Sequence, residues 1–99
     1  MCIRDSYYTD VTVDLGPTYV VSAELTRDLP VTGRRFSSRE EYPQLYAAEK
    51  PATMPAGSAL IYSMKTLHRG SAIKATEGVR FSQFIGYHTA GPALSLIHI

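Results

Sequence analysis

In the stretch KTLHRGSA, residues 65–72, His68 follows the apolar run SALIYSM. Twelve residues later Arg80 sits early in the patterned run GVRFSQFIGYH, with Ser82 two positions beyond it. An imidazole offers a metal-binding nitrogen or a proton acceptor near neutral pH. A guanidinium offers a planar fork that grips a carboxylate through two parallel bonds, and a nearby hydroxyl can add a third. Each of these residues also has a plainer use. A lone histidine at a strand end is commonly a polar surface group, an arginine in a strand is commonly an outward charge, and one imidazole makes no metal site.

The elements that carry these residues decide between the two uses. VRFSQFIGYHT alternates over about ten residues and is the clearest strand in the chain. Alternation puts Arg80, Ser82 and Phe84 on one face and Val79, Phe81, Ile85 and Tyr87 on the other. The second face is apolar and is expected to pack on the core, so Arg80 and Ser82 face either solvent or a cavity inside a barrel. In the cavity case Arg80 needs an anion, because an unpaired buried charge costs about 3–5 kcal/mol. His88 shares that face at the strand's far end and reads as a rim residue.

The remaining pattern points to an all-β fold. YYTDVTVDLGPTYVVS, rich in Val, Tyr and Thr, reads as two strands joined by a tight turn at Gly16 and Pro17. From Thr26 to Lys50 the alternation fades into prolines, charges and serines, a long excursion with one short helix at QLYAAEK. Ser37 and Glu40 stand at capping-box spacing ahead of it. A turn at Pro55–Gly57, the apolar strand SALIYSM and a second turn at ATEG, residues 75–78, precede the last strand. Four or five strands are too few to close a small barrel, which takes about eight. The expected fold is therefore a partial double-stranded β-helix, or jelly roll, with one short helix in a long loop.

With 99 residues, 44% of them hydrophobic, and a formal charge of +1, the composition is that of one globular domain or part of one. The charge is near neutral and forms no basic stripe, so nucleic acid is not an expected partner. The longest apolar run falls far short of the roughly 20 residues that a membrane helix needs, and the amino terminus lacks the layout of a secretory signal. A single cysteine, Cys2, excludes an internal disulfide. A cytoplasmic setting and a small-molecule partner are the expectations. MCIRDS and LSLIHI resemble translated sequencing-adaptor ends. Residues 7–93 are accordingly expected to be the carboxy-terminal part of one domain, with 1–6 and 94–99 non-native.

The segment from Pro55 to His88, PAGSALIYSMKTLHRGSAIKATEGVRFSQFIGYH, resembles the carboxy-terminal half of the phytanoyl-CoA dioxygenase family, and DVTVDLGPTYVVS is similar to an earlier stretch of the same family. Together they cover roughly half of the chain. The resemblance implies an Fe(II)- and 2-oxoglutarate-dependent dioxygenase that decarboxylates 2-oxoglutarate to succinate while hydroxylating a small or lipid-like substrate. His68 matches the distal iron-binding histidine, Arg80 the arginine that holds the far carboxylate of 2-oxoglutarate, and Ser82 the assisting hydroxyl. Two departures stand against it. No histidine is followed two positions on by an acid, so the family's His-x-Asp or His-x-Glu motif is missing, and Asp10 and Asp14 read as turn and edge residues. The family's Pro-Gly-Ser-His turn is replaced by VVSAELT, residues 20–26. A jelly-roll binding module that has lost its metal and a halogenase relative with a small residue in place of the acid are the alternatives.

Overall fold

The computed structural model describes residues 2–27, 37–63 and 65–87; the arginine pair at 34–35, His88 and residues 94–99 lie outside them. Among the described residues there are six strands and two short helices: β1 (Cys2–Tyr7), β2 (Tyr19–Val20), α1 (Ala23–Thr26), α2 (Pro43–Ala48), β3 (Lys50–Pro51), β4 (Ala59–Ser63), β5 (His68–Arg69) and β6 (Ser82–Tyr87). The strands form two antiparallel sheets of three, in the orders β4-β1-β6 and β3-β2-β5. The all-β class expected from the sequence is what the chain adopts.

Although residues 1–6 were expected from the sequence to be a non-native end, Cys2–Ser6 form most of β1, which is the centre of the first sheet and whose alternation sets the inside of the molecule. Ile3, Asp5 and Tyr7 are buried, while Cys2 is exposed and Arg4 and Ser6 are half-buried. Opposite the three buried residues stand Tyr62 and Leu60 on β4, and Gly86, Phe84 and Ser82 on β6. Directly paired residues share a face, so the even-numbered positions of β6 belong to the interior face. This corrects the expectation of core packing for Val79, Phe81 and Tyr87, while Ile85 is half-buried, the least exposed residue of β6. Val79 is 57% exposed, Phe81 63% and Tyr87 46%. The register with β1, which pairs Tyr7 with Ser82, overrides the apolar count on either face. Phe84 points inward yet remains exposed because β6 is the edge strand among the described residues.

The expected hairpin across Gly16 and Pro17 does not form. Val11 bridges to Met54 and Leu15 to Ile73, while β2 pairs with β3 and β5, so the two stretches serve different sheets. Gly16 has φ 68°, and a Cβ there would stand 2.9 Å from the Ser71 carbonyl oxygen. The crossing between sheets therefore requires glycine at this position. The turn at Pro55–Gly57 is as expected: the Ser58 amide bonds the Pro55 carbonyl at 3.2 Å, Gly57 has φ 88°, and the Asp10 carboxylate accepts the Ala56 amide at 2.6 Å.

The excursion holds α2 where expected, with Pro43 in its first turn, where a missing N–H costs nothing. Leu45 is its buried residue. The capping pair is shifted by one residue, Ser38 with Glu41, and closes the turn before α2 rather than its end. α1, following Val21 and Ser22, is a second helix that the sequence pattern did not mark.

Replacing Ile3, 2% exposed, with Ala is expected to destabilise the chain by about 2–5 kcal/mol. Phe81→Ala should stay within about 0.5 kcal/mol. Urea denaturation of the two variants checks the assignment of faces, and a loss at Phe81 as large as at Ile3 would reverse it.

Candidate functional site

A carboxyl group lies between the two sheets. Asp5, 7% exposed at the middle of β1, accepts the Thr18 hydroxyl at 3.5 Å from the segment entering β2, and the Tyr62 hydroxyl at 3.4 Å from β4. A buried carboxyl group needs such donors, since its lost hydration is otherwise uncompensated. The Tyr62 ring in turn lies 5.0 Å from the His68 ring, tilted by 58°. His68, on β5, is thereby brought against an interior residue of the other sheet, although much of its surface stays exposed.

The environment of His68 selects its tautomer. Nδ1 lies 2.8 Å from the Thr66 carbonyl oxygen. A carbonyl only accepts, so in the neutral ring Nδ1 carries the proton and Nε2 keeps its lone pair. This is the arrangement that an Nε2-bound metal requires. The next residue anchors the strand on its other side. Arg69 donates from Nε to Glu49 Oε2 at 2.7 Å and from Nη2 to Glu49 Oε1 at 2.5 Å, and its guanidinium lies 4.2 Å from the centre of the Tyr19 ring. The hydrogen bonds to Glu49 raise the Arg69 pKa further, against the opposing effect of burial.

Ser82 continues the line of Phe84 and Gly86, and Arg80 stands two residues before β6 begins. Arg80 is half-buried, and its Nε is enclosed with no hydrogen-bond partner. Ser82 is exposed and pairs across the ladder with Tyr7. Tyr7 is 1% exposed, and its hydroxyl lies near the Thr18 hydroxyl without a well-formed hydrogen bond to it. Burial raises the Tyr7 pKa; Thr18 opposes the rise, Asp5 adds to it and the Arg80 charge opposes it. Tyr62 is pushed up to about 12, first by burial and then by Asp5 through its charge and hydrogen bond.

The two sheets also bound a cleft of about 390 Å³, lined by Val20, Leu25, Lys50, Leu60, Tyr62 and Thr66 among others. It reaches the interior residue Tyr62, against which the His68 ring leans at a tilt of 58°.

Asp5, Tyr7, Thr18 and Tyr62 were not among the residues singled out from the sequence. Their one signal is the spacing of Ile3, Asp5 and Tyr7, which alternates but places an acid in the middle apolar slot. Asp10 and Asp14 are turn residues: the first takes the Ala56 amide, and the second offers its carbonyl to the amides of Lys74 and Ala75. Among the described residues, no three His, Cys, Asp or Glu side chains come together as a metal-binding group. His68 supplies one nitrogen, and a facial triad requires two further ligands. By themselves, then, the described residues do not make the iron centre that the resemblance implies. The chain matches no protein-family model, and searches of curated proteins and of solved structures found no match.

The raised phenol pKa values give the chain an alkaline limit. An unfolded tyrosine loses its proton near pH 10, whereas Tyr62 holds its proton to about 12 and Tyr7 is also shifted upward. Their contribution to stability is complete below pH 10 and is lost as pH rises from 10 towards 12. In a spectrophotometric titration, Tyr62 and Tyr7 should ionise above pH 10, together with unfolding. Tyr62→Phe should remove part of that late step; an unchanged late step would place Tyr62 in a solvated site.

Proposed function

We propose that the chain carries the cosubstrate-binding part of an Fe(II)- and 2-oxoglutarate-dependent dioxygenase of the phytanoyl-CoA dioxygenase type, acting on a small or lipid-like substrate. In this reading Arg80 binds the far carboxylate of 2-oxoglutarate, Ser82 assists it, and His68 offers one imidazole to the metal. Bound iron would supply the oxidative chemistry, and its other protein ligands would come from residues outside those described. The chain's own residues bind and orient the keto acid and bound the cleft that takes the substrate.

The observation that carries the reading is the enclosed, unpartnered Nε of Arg80, two residues before Ser82 at the start of β6. A guanidinium has donors to satisfy, and a carboxylate satisfies two of them at once. Three further features support it. Successive strands pass between the sheets as β1 in the first, β2 and β3 in the second, β4 in the first, β5 in the second and β6 in the first, the alternation of a double-stranded β-helix. His68 keeps Nε2 unprotonated in its neutral form, through its contact with Thr66. The cleft beside Tyr62 is lined mostly by apolar side chains, as an apolar substrate requires.

In a form of the protein that also carries a His-x-Asp or His-x-Glu segment, we expect iron-dependent conversion of 2-oxoglutarate to succinate. Arg80→Ala should raise the 2-oxoglutarate concentration needed for half-maximal turnover by about 10- to 100-fold, the worth of one charge-assisted contact. His68→Ala should abolish turnover. An Arg80→Ala enzyme with the parent's dependence on 2-oxoglutarate would refute the assignment, and 2-oxoglutarate binding without any turnover would favour a non-catalytic jelly-roll module.

A further inference from the structure

The free edge of β6 lies on a stretch that reads nearly the same in both directions. From Phe81 to Tyr87 the order is Phe-Ser-Gln-Phe-Ile-Gly-Tyr, with Phe84 at the centre, a small residue two positions to either side (Ser82 and Gly86) and an aromatic ring three positions to either side (Phe81 and Tyr87). All three rings are exposed. No charge and no proline interrupts the stretch, so it lacks the guards with which edge strands usually keep other chains away. Its unpaired backbone is equally regular. The Tyr8 amide donates to the Phe81 carbonyl at 2.9 Å, which makes these two a bonded pair in the register that joins β1 to β6. Bonded and non-bonded pairs alternate along an antiparallel ladder, so Gln83, Ile85 and Tyr87 turn their amides and carbonyls to β1. Those of Ser82, Phe84 and Gly86 turn to the free edge, where no strand among the described residues meets them.

We propose that β6 is the docking edge for a second copy of this chain, paired antiparallel about a twofold axis at Phe84. In this register Phe84 stands opposite Phe84 of the other copy, Ser82 opposite Gly86, and Phe81 opposite Tyr87. The outward amides and carbonyls of Ser82, Phe84 and Gly86 then all find partners, and the two three-stranded sheets run on as one. The two Phe84 rings have only Ser82 and Gly86 beside them on their face of the strand, which leaves room for both. On the other face each Phe81 ring meets the Tyr87 ring of the other copy, and aromatic pairs of this kind stabilise a ladder. A slip of one residue would oppose outward groups to inward ones. A slip of two would set Phe84 against Gly86 or Ser82 and separate the rings. The symmetry of the stretch is of use only to a partner of the same sequence, which selects a second copy over an unrelated strand, and the contact closes on itself as a dimer. The cosubstrate reading of Arg80 and this pairing are independent, and either can fail without the other.

The test is sedimentation equilibrium of the 99-residue chain over a range of concentrations. The mass should rise from that of one chain to twice that value and no further. Two double variants then read the register. Phe81→Lys with Tyr87→Lys sets like charges directly opposite each other across the two copies, whereas Phe81→Lys with Tyr87→Glu removes the same rings but sets opposite charges there. The first should dimerise about tenfold or more weakly than the second. A wild-type chain that stays monomeric, one that grows beyond two copies, or two double variants that associate equally well or equally poorly overturns the proposal. Should the variants fail to fold, hydrogen exchange of the wild-type chain decides. The amides of Ser82, Phe84 and Gly86 should exchange freely in dilute solution and become protected as the mass doubles, and amides that stay unprotected in the dimer overturn the proposal.

Discussion

The arrangement depends on keeping the Asp5 carboxyl group supplied with donors inside the molecule. Thr18 brings one donor from the segment that enters β2, and Tyr62 brings another from β4, so the centre strand of one sheet is tied to its neighbour and to the opposite sheet. At 3.5 and 3.4 Å these are long contacts, and neither is strong alone. Their weight comes from burial, because a carboxyl group removed from water and left without donors would cost more than any single hydrogen bond returns. The same Tyr62 then provides the surface against which the His68 ring rests, so the tie and the candidate ligand are coupled through one side chain.

Adjacent residues on β5 divide the work of positioning. Arg69 turns to the aromatic side, where Tyr19 and the Glu49 carboxylate fix its guanidinium, while His68 turns to Tyr62. A partly exposed ion pair adds little to stability on its own. Its bidentate geometry, with the stacked Tyr19 ring, nonetheless fixes where a strand of only two residues can lie. The His68 backbone is held by that neighbour, and its ring by Thr66 and Tyr62. Such support from several sides is what a ligand or a binding residue needs to keep its direction.

On the first sheet, one register decides two properties. Pairing Tyr7 with Ser82 sets Ser82 beside the buried residues of β1. It also leaves Val79, Phe81 and Tyr87 on the outer face, where Ile61 of β4 is 67% exposed as well. On β6 neither side is closed off: Ser82, Phe84 and Gly86 are exposed on one face, and Ile85 on the other is half-buried. The buried apolar residues come instead from β1, the segments around Val11 and Val21, α2 and Ala52.

Local signals in the sequence were enough for the elements that local physics controls. Gly57 and Pro55 gave the turn before β4, Pro43 with Leu45 and the alanines gave α2, and Val, Tyr and Phe alternation gave an antiparallel all-β chain with β6 near its end. Arg80 and Ser82 were legible as a pair sharing a face, because alternation along a strand is fixed by backbone geometry. Which way that face pointed was not legible: aromatic side chains occur on both sides of β6, so only pairing with β1 could choose. β1 itself was missed, since residues 1–6 read as a non-native end, and its buried Asp5 finds its donors, Thr18 and Tyr62, only through contacts from elsewhere in the chain. The separation of the stretches on either side of Gly16 into different sheets was also a tertiary outcome. A turn residue sets the local bend, and the partners that each strand finds depend on contacts many residues away.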